Sequence, residues 1–288
     1  MDMIPLPRST ALRLTGRDVL TVLHRVSTQK LADLAIGEAR PSLLCDFRGR
    51  MQHRFVVARM ADDSVWLLRS DAPGAELAIA IDRSVFREEV RIEDLSLAHP
   101  VLAVRVQSGN GSITTPIAGA DPLIPRLVAE SAAVALWVGG QAGSEVTAPA
   151  QGVLDAAGAI AEGRARQGHE IVEEFNPFEV GLALAVHLDK GCFTGQESLQ
   201  RLITYSSVRR QLVGVQGYGP EPAAPAQILS AGTDAGQLTS VAASPTGWSG
   251  LAVLRRSVLE GAGALVLTKD QPVEVTHAFE TARPLGRP

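Results

Sequence analysis

One short stretch of the sequence combines residue types that can do chemistry. It spans 189–197 and reads Asp-Lys-Gly-Cys-Phe-Thr-Gly-Gln-Glu. Thr194 and Glu197 have the spacing of a helix N-cap and its capping-box partner, so a helix is predicted to start at the second glycine. Cys192 would then lie just before the positive end of that helix, and Lys190 adds a cation. Both effects favour the thiolate over the thiol, which predicts a reactive or ligand-contacting cysteine.

The neighbouring residues support this interpretation without excluding a structural one. Gly191 and Gly195 would let a ligand or another backbone approach closely. Gln196 and Glu197 are equally explained as residues of the first helical turn. A free cysteine is often a small buried hydrophobe, so the spacing alone leaves both interpretations of the thiol open. The second cysteine, Cys45, is predicted to be a core residue.

Most other signatures of catalysis or metal binding are absent from the sequence. It has no phosphate-binding loop and no nucleophile elbow, and its six histidines are scattered. Two cysteines cannot by themselves ligate an iron–sulfur cluster or close a zinc site. The sequence therefore predicts no resident metal.

Composition narrows the class of protein. The chain has 288 residues, 45% of them hydrophobic and 20% charged, which excludes a disordered or collagen-like chain. The net charge of -4 argues against direct nucleic-acid binding by bulk electrostatics. A cluster of Arg201, Arg209 and Arg210 is interpreted as a solvated face, although it keeps a binding module related to RNA or tRNA modification open. Neither a signal peptide nor a membrane span is recognisable, which predicts a cytoplasmic protein without membrane contact.

Hydrophobic periodicity predicts a mixed architecture. Residues 40–70 are typical of β structure, and Thr15 with Asp18 resembles a capping box before a helix. The last third has short β-prone runs separated by Gly, Pro and Asp, which predicts a small antiparallel barrel or sandwich. Further predictions are strands over Ala11–Leu14 and Val85–Ile92, helices over Ala75–Ile81, Leu123–Leu136 and Ala156–Gln167, and a loop over Gly109–Gly119.

The 190–197 segment resembles a family signature. Lys-Gly-Cys-Phe-Thr-Gly-Gln-Glu is similar to the K-G-C-[YF]-x-G-Q-E motif of the folate-binding YgfZ family, itself similar to the glycine cleavage T-protein, an aminomethyltransferase. Four further segments carry the resemblance, together with Arg201: Leu12–Leu20, Asp46–Met51, Arg164–Gly168 and Pro177–Glu179.

The resemblance implies an α+β fold: a three-part ring of two α+β modules, over residues 1–208, and a C-terminal antiparallel β-barrel, over 209–288. It implies tetrahydrofolate or a folate derivative as ligand. It also implies an accessory role in iron–sulfur cluster assembly or maintenance, with iron–sulfur client or carrier proteins as partners. The implied reactive residues are Cys192 and Lys190, and the implied cofactor-binding residues are Arg164, Glu179, Gly191, Gly195, Gln196, Glu197 and Arg201.

The sequence departs from the transferase pattern in the stretch that follows the Asp46–Met51 segment. Where the transferase has an aspartate near the reactive nitrogens of folate, this chain has His53 and Arg54. Neither side chain can act as that carboxylate, which argues against aminomethyl transfer. A folate-dependent one-carbon transferase or demethylase remains the alternative, and whether the protein is an enzyme is left open.

Overall fold

The computed structural model describes residues 8–106, 124–125, 127–140, 152–261, 263–267 and 271–286, so the predicted loop over Gly109–Gly119 lies outside the described residues. The described chain divides into two compact units. The first is drawn from residues 1–45, 53–154 and 189–194, and the second from 46–52, 155–188 and 195–288. The domain boundary predicted at residue 208 stays a prediction.

Within the described residues, the larger sheet of the first unit has the strand order β2-β3-β4-β1-β5. Strand β1 pairs antiparallel with both β4 and β5, and β3 pairs antiparallel with β4. The predicted strand over 11–14 and the β structure of residues 40–70 are confirmed. The strands are β1 (Thr10–Thr15), β2 (Ala39–Cys45), β3 (Met51–Ala61), β4 (Ser64–Arg69) and β5 (Arg91–Asp94).

Both faces of this sheet are buried. Alternate residues of a strand point to opposite sides of its sheet, so neighbouring residues enter different apolar clusters. In β4, Trp66 and Leu68 enter one apolar cluster, whereas Leu67 between them enters the other. The second cluster also contains residues of the helices α1 (Val19–Val26) and α2 (Gly74–Asp82). The helices therefore cover one face, and the uninterrupted apolar run of β4 follows from burial on both sides.

Helix α1 begins later than the capping-box pattern predicts. Thr15 is still part of β1, where it pairs with Ser64 of β4. Asp18 occupies the N-cap position but makes no side-chain bond to the helix. Its Oδ2 accepts the Glu89 N–H at 2.9 Å instead. Tertiary pairing therefore overrides the local capping signal, while α2 confirms the helix predicted over residues 75–81.

A second sheet in the first unit has the order β6-β8-β7 among the described residues. Its strands are β6 (Val101–Arg105), β7 (Leu127–Ala129) and β8 (Val134–Val138). The helix predicted over 123–136 is wrong, because the valines and leucine of β8 alternate into an apolar cluster. The strand predicted over 85–92 is wrong for most of its length, since β5 begins only at Arg91.

The second unit contains three α-helices among its described residues, in addition to a short 3-10 helix over Ala183–Ala185: α3 (Ala156–Ala161), α4 (Gln196–Thr204) and α5 (Arg256–Leu259). The helix predicted over 156–167 ends six residues early. Gly163 adopts a φ of 60°, a left-handed conformation that helices do not continue through. For α4 the N-cap residue is Gly195 and not the predicted Thr194.

The remaining strands of the second unit form a closed antiparallel barrel of order β10-β11-β12-β9-β14-β13 within the described chain. Its interior holds apolar side chains from every strand, including Trp248, which faces Gly217 across the β9–β12 pair. A Cβ on Gly217 would lie 2.4 Å from the Trp248 ring, so only glycine leaves room for it. The α+β class with a C-terminal antiparallel barrel is confirmed. The strands are β9 (Arg210–Tyr218), β10 (Ala226–Ser230), β11 (Thr233–Ser244), β12 (Gly247–Arg255), β13 (Leu265–Leu267) and β14 (Pro272–Ala278).

Candidate functional site

In the first unit, residue Lys190 is tied to the end of α1 by two reciprocal contacts. The His24 ring Nε2 lies 2.8 Å from the Lys190 carbonyl oxygen, and the Lys190 ammonium donates to the His24 carbonyl. The last carbonyls of a helix lack partners within it and carry negative potential. Lys190 therefore caps the C-terminal end of α1. We call this pair the His24–Lys190 clamp; it fixes the backbone two residues before Cys192.

The hydrogen bonds of His24 define its tautomer. Its Nδ1 accepts the N–H of Leu31 at 3.0 Å and that of Ala32 at 3.3 Å. A ring nitrogen that accepts cannot carry a proton, so the hydrogen of the neutral ring is on Nε2 and is donated to the Lys190 carbonyl. Burial and the Lys190 charge lower the pKa of His24, which favours this neutral form.

Lys190 is a buried cation. Its residue is 7% exposed, and its ammonium lies 5.0 Å from the centroid of the Phe193 ring, within range of a cation–π contact. Burial lowers the pKa of Lys190 to about 8. At neutral pH the amine is therefore mostly protonated, yet close to losing its proton. The catalytic role predicted for Lys190 stays a prediction, beside the capping role that the contacts establish.

Cys192 is exposed, whereas Cys45 is buried as predicted. Between the buried Lys190 and the exposed thiol lies Gly191, whose φ of 103° belongs to the left-handed region. A Cβ there would meet nothing within 4 Å. The clamp and this turn therefore present the thiol on the surface of the first unit.

The position expected for a catalytic carboxylate holds two basic side chains with different surroundings. His53 Nδ1 lies 3.3 Å from Nη1 of Arg69, and burial with the Arg69 charge lowers the pKa of His53 to about 4. His53 is thus neutral at pH 7. Arg54 is 4% exposed and donates to Glu130 at 2.5 Å and to Asp71 at 2.8 Å. Those two carboxylates are engaged by Arg54.

In the second unit, the start of α4 touches the turn between β2 and β3. Asp46 Oδ1 accepts the N–H groups of Arg48 and Arg50, both at 2.8 Å, which closes the turn. Gly195 has a φ of 83°, and a Cβ on it would lie 2.4 Å from the Asp46 carbonyl and 2.9 Å from the Gly49 nitrogen. The second glycine of the motif is therefore required by a close approach of backbones within this unit.

The three polar residues of α4 that were predicted to bind ligand have protein partners. Gln196 Nε2 donates to the Leu188 carbonyl at 2.7 Å. Glu197 and Arg201 form an i,i+4 ion pair at 2.5 Å, with side chains 78% and 68% exposed. Such an exposed pair contributes only about 0.3–0.5 kcal/mol, so Arg201 can exchange Glu197 for another carboxylate.

Glu179 and Arg164 are both buried in the second unit, at 4% and 7% exposure. Glu179 accepts from Arg210 Nε at 3.0 Å and Nη2 at 3.2 Å, and from the Asn176 N–H at 3.2 Å. The Arg210 guanidinium also lies 5.1 Å from the Phe175 ring centroid. Glu179 thus holds Arg210 in place, and its ligand-binding role stays a prediction.

The predicted site residues fall into both units. The clamp was missed by sequence reasoning, because His24 and Lys190 are 166 residues apart and no local pattern connects them. The contact becomes visible only in the folded chain, where Lys190 lies at the C-terminal end of α1. Lys190, Gly191 and Cys192 lie in the first unit, and Arg164, Glu179, Gly195, Gln196, Glu197 and Arg201 lie in the second.

Two kinds of feature are absent from the described ranges. None of the helices there is both long enough and apolar enough to span a bilayer. The same residues contain no cluster of three or more His, Cys, Asp or Glu side chains that could hold a metal ion.

Comparison with known proteins points to the aminomethyltransferases. Residues 6–105 match the GCVT N-terminal domain. The aminomethyltransferase of Herpetosiphon aurantiacus is 26% identical over 91% of this chain and 81% of its own length. That of Moorella thermoacetica is 42% identical over 27% of this chain, a match that spans only 22% of the relative.

Comparison with solved structures identifies the fold. The glycine cleavage system aminomethyltransferase T from Bartonella henselae aligns with 98% of this chain and 86% of its own, at a TM-score of 0.72 and 15% sequence identity. The chain therefore has a T-protein-like fold. More particularly, residues 6–105 are similar to the GCVT N-terminal domain.

Proposed function

We propose that this protein is a folate-binding relative of the aminomethyltransferases that helps to assemble or maintain iron–sulfur proteins, with Cys192 as its working thiol. The observation that carries the proposal is the His24–Lys190 clamp. It buries the lysine of the motif and leaves the cysteine exposed two residues later. A thiol on a fixed backbone and open to solvent is suited to contact a partner protein.

The folate part of the proposal is supported by the T-protein-like fold and the match of residues 6–105. Folate would bring a pterin ring that carries one-carbon units on its nitrogens, and a glutamate with free carboxylates. Arg201 is suited to the glutamate, because guanidinium groups bind carboxylates in a bidentate manner and its own partner is an exposed one. Arg164, Glu179, Gly191, Gly195, Gln196 and Glu197 complete the proposed binding set.

The electrostatics of His53 and Arg54 favour an accessory role over aminomethyl transfer. An aspartate is an anion at pH 7, whereas His53 is neutral there because the pKa of His53 is about 4. Arg54 is a cation whose charge is already matched by two carboxylates. Neither residue supplies the negative charge that would stabilise a positive charge developing on a one-carbon unit.

A folate-dependent aminomethyl transferase or demethylase is the second candidate. It is favoured by the similarity to the Herpetosiphon aminomethyltransferase, which extends over 91% of this chain. The two candidates differ in turnover. Transfer of a one-carbon unit from a methylamine-type donor to tetrahydrofolate would support the second candidate if it is lost on His53→Ala.

The deciding experiment is a calorimetric titration of tetrahydrofolate into the wild-type chain and into the Cys192→Ala and Arg201→Ala variants. We expect saturable binding to wild type and to Cys192→Ala, because the thiol is assigned to a partner and not to folate. Arg201→Ala should bind at least several-fold more weakly. Absence of binding to wild type would reject the folate part of the proposal.

The iron–sulfur part needs a separate readout. In cells that lack this protein, the activity of iron–sulfur enzymes is expected to recover with the wild-type gene. It should not recover with Cys192→Ser, although that variant should still bind tetrahydrofolate. Equal recovery with Cys192→Ser would contradict the role of the thiol.

A further inference from the structure

The second unit contains an open cleft of about 1290 Å³, and Glu179 is the one residue of the proposed folate-binding set that lines it. At its wall the start of β9 and the end of β12, each with one flanking residue, bring four arginines close together. Arg210 of β9 is the register partner of Arg255 of β12, and the Arg256 N–H donates to the Arg209 carbonyl at 2.9 Å. We call these four residues the arginine rim. Like charges on directly opposed strand positions destabilise a sheet unless other groups offset them.

Only half of the rim is neutralised by ion pairs within the described residues. Arg210 pairs with Glu179 at 3.0 Å, and Arg255 pairs with Asp234 at 2.5 Å. Arg209 is exposed and forms no ion pair in the described chain. The guanidinium of Arg256 reaches a hydroxyl, that of Thr281, at 3.4 Å. Two positive charges of the rim are thus left without a carboxylate.

A fifth arginine adds to this excess. Arg50 Nη1 donates to the Glu174 carbonyl at 2.7 Å, and Nη2 of Arg210 donates to the same oxygen at 2.9 Å. A neutral carbonyl orients the two guanidinium groups towards each other without cancelling their charge. Across the whole cleft, six arginines face four carboxylates, since Arg48, Glu174 and Glu260 also line it.

We propose that this cleft binds a small anion with two or more phosphate or carboxylate groups, held by Arg50, Arg209 and Arg256. Guanidinium groups match both oxyanions in a bidentate manner, and the hydroxyl of Ser257 on the lining can donate a further hydrogen bond. The volume exceeds what a single phosphate needs and suits a multivalent small ligand. The four carboxylates of the cleft disfavour a long, uniformly charged polyanion.

The probes are inorganic pyrophosphate and citrate, titrated separately into the full chain by calorimetry at about 0.15 M salt, where long-range charge effects are screened. The variants are Arg209→Gln and Arg256→Gln. The control is Arg87→Gln, which removes the same charge from an exposed arginine of the first unit that does not line the cleft. No pterin is present, so the outcome is independent of folate binding.

We expect saturable 1:1 binding of at least one probe, weakened about tenfold or more by each cleft variant and unchanged in Arg87→Gln. Tighter binding of pyrophosphate would identify a phosphate ligand, and tighter binding of citrate a carboxylate ligand. Failure of both probes to saturate would overturn the proposal. An equal loss of affinity in Arg87→Gln would overturn it as well, because binding would then follow net charge and not the cleft.

Discussion

At the scale of the residue, the motif around Cys192 combines a buried side chain, Lys190, with an exposed one, Cys192. Lys190 serves as the cap of α1 through the His24 carbonyl, and its burial lowers the pKa of the amine to about 8. Cys192 remains exposed. The sequence predicted that both residues matter, but it placed them together as a reactive pair. The long-range contact with His24 gives the lysine a structural task of its own.

The lowered pKa of Lys190 predicts that the free energy of unfolding depends on pH. The pKa of Lys190 is about 8 in the folded chain and 10.5 in its ordinary state, so the unfolded chain holds more protons between these values. Stability attributable to this group therefore rises with pH from about 8 to 10.5. In urea unfolding, Lys190→Met should cost about 1 kcal/mol at pH 7 through the lost cap. The advantage of wild type over the variant should then grow up to pH 10.

The matched control is Lys30→Met, because Lys30 is a half-buried lysine whose ammonium lies 2.9 Å from Asp33. The growth of the difference with pH should be larger for Lys190→Met than for this control. A flat difference for Lys190→Met would show that the amine is not desolvated in the folded chain.

The lowered pKa of His53 predicts a second pH dependence of stability. Burial and Arg69 hold the pKa of His53 at about 4, so the folded ring is neutral while an unfolded ring charges near pH 6.5. Stability from this group is lost as the pH falls from 6.5 to 4. NMR of the full chain should show the His53 ring resonance titrating near pH 4. A midpoint above pH 6 would contradict the burial of His53 beside Arg69.

At the scale of the element, sequence patterns succeeded where local chemistry decides the structure. The turn at Asp46 and the six strands of the barrel within the described residues follow from hairpin and turn residues. The helix predicted over 123–136 failed, because the alanines there fit a helix as well as a strand and only packing of β8 decides. The same holds for Thr15, which pairs in a sheet although its spacing fits a helix cap.

The two glycines of the motif predict unequal costs of substitution. Both have positive φ, so an alanine at either position is strained by about 1–2 kcal/mol. At Gly195 the new Cβ would also meet the Asp46 carbonyl at 2.4 Å, whereas at Gly191 it would meet nothing within 4 Å. Gly195→Ala should therefore be less stable than Gly191→Ala by about 1–3 kcal/mol in urea unfolding. Equal losses of stability in the two variants would contradict the close approach of Gly195 to the Asp46 carbonyl.

At the scale of the whole molecule, net charge conceals local charge. The chain carries -4 overall, which correctly argued against a uniformly basic surface. The arginine rim could not be predicted from sequence, because its two arginine pairs are about 45 residues apart and only the β9–β12 pairing joins them. The Arg201, Arg209 and Arg210 cluster predicted from sequence is divided accordingly. Arg201 pairs with Glu197 on α4, while the other two arginines line the cleft.

The rim predicts how the stability of the whole chain responds to salt in the absence of any ligand. Repulsion among the four guanidinium groups is poorly screened at about 0.01 M salt, where the Debye length is about 30 Å, and well screened at about 1 M. Wild type should therefore gain more stability from added sodium chloride than the double variant Arg209→Gln/Arg256→Gln. The expected difference in urea unfolding is a few tenths of a kcal/mol.

The Arg87→Gln variant should respond to salt as wild type does, because it removes one charge outside the rim. If the double variant and wild type responded equally, the ion pairs of Glu179 and Asp234 would already neutralise the rim, and the excess charge that argues for an anion in the cleft would not exist.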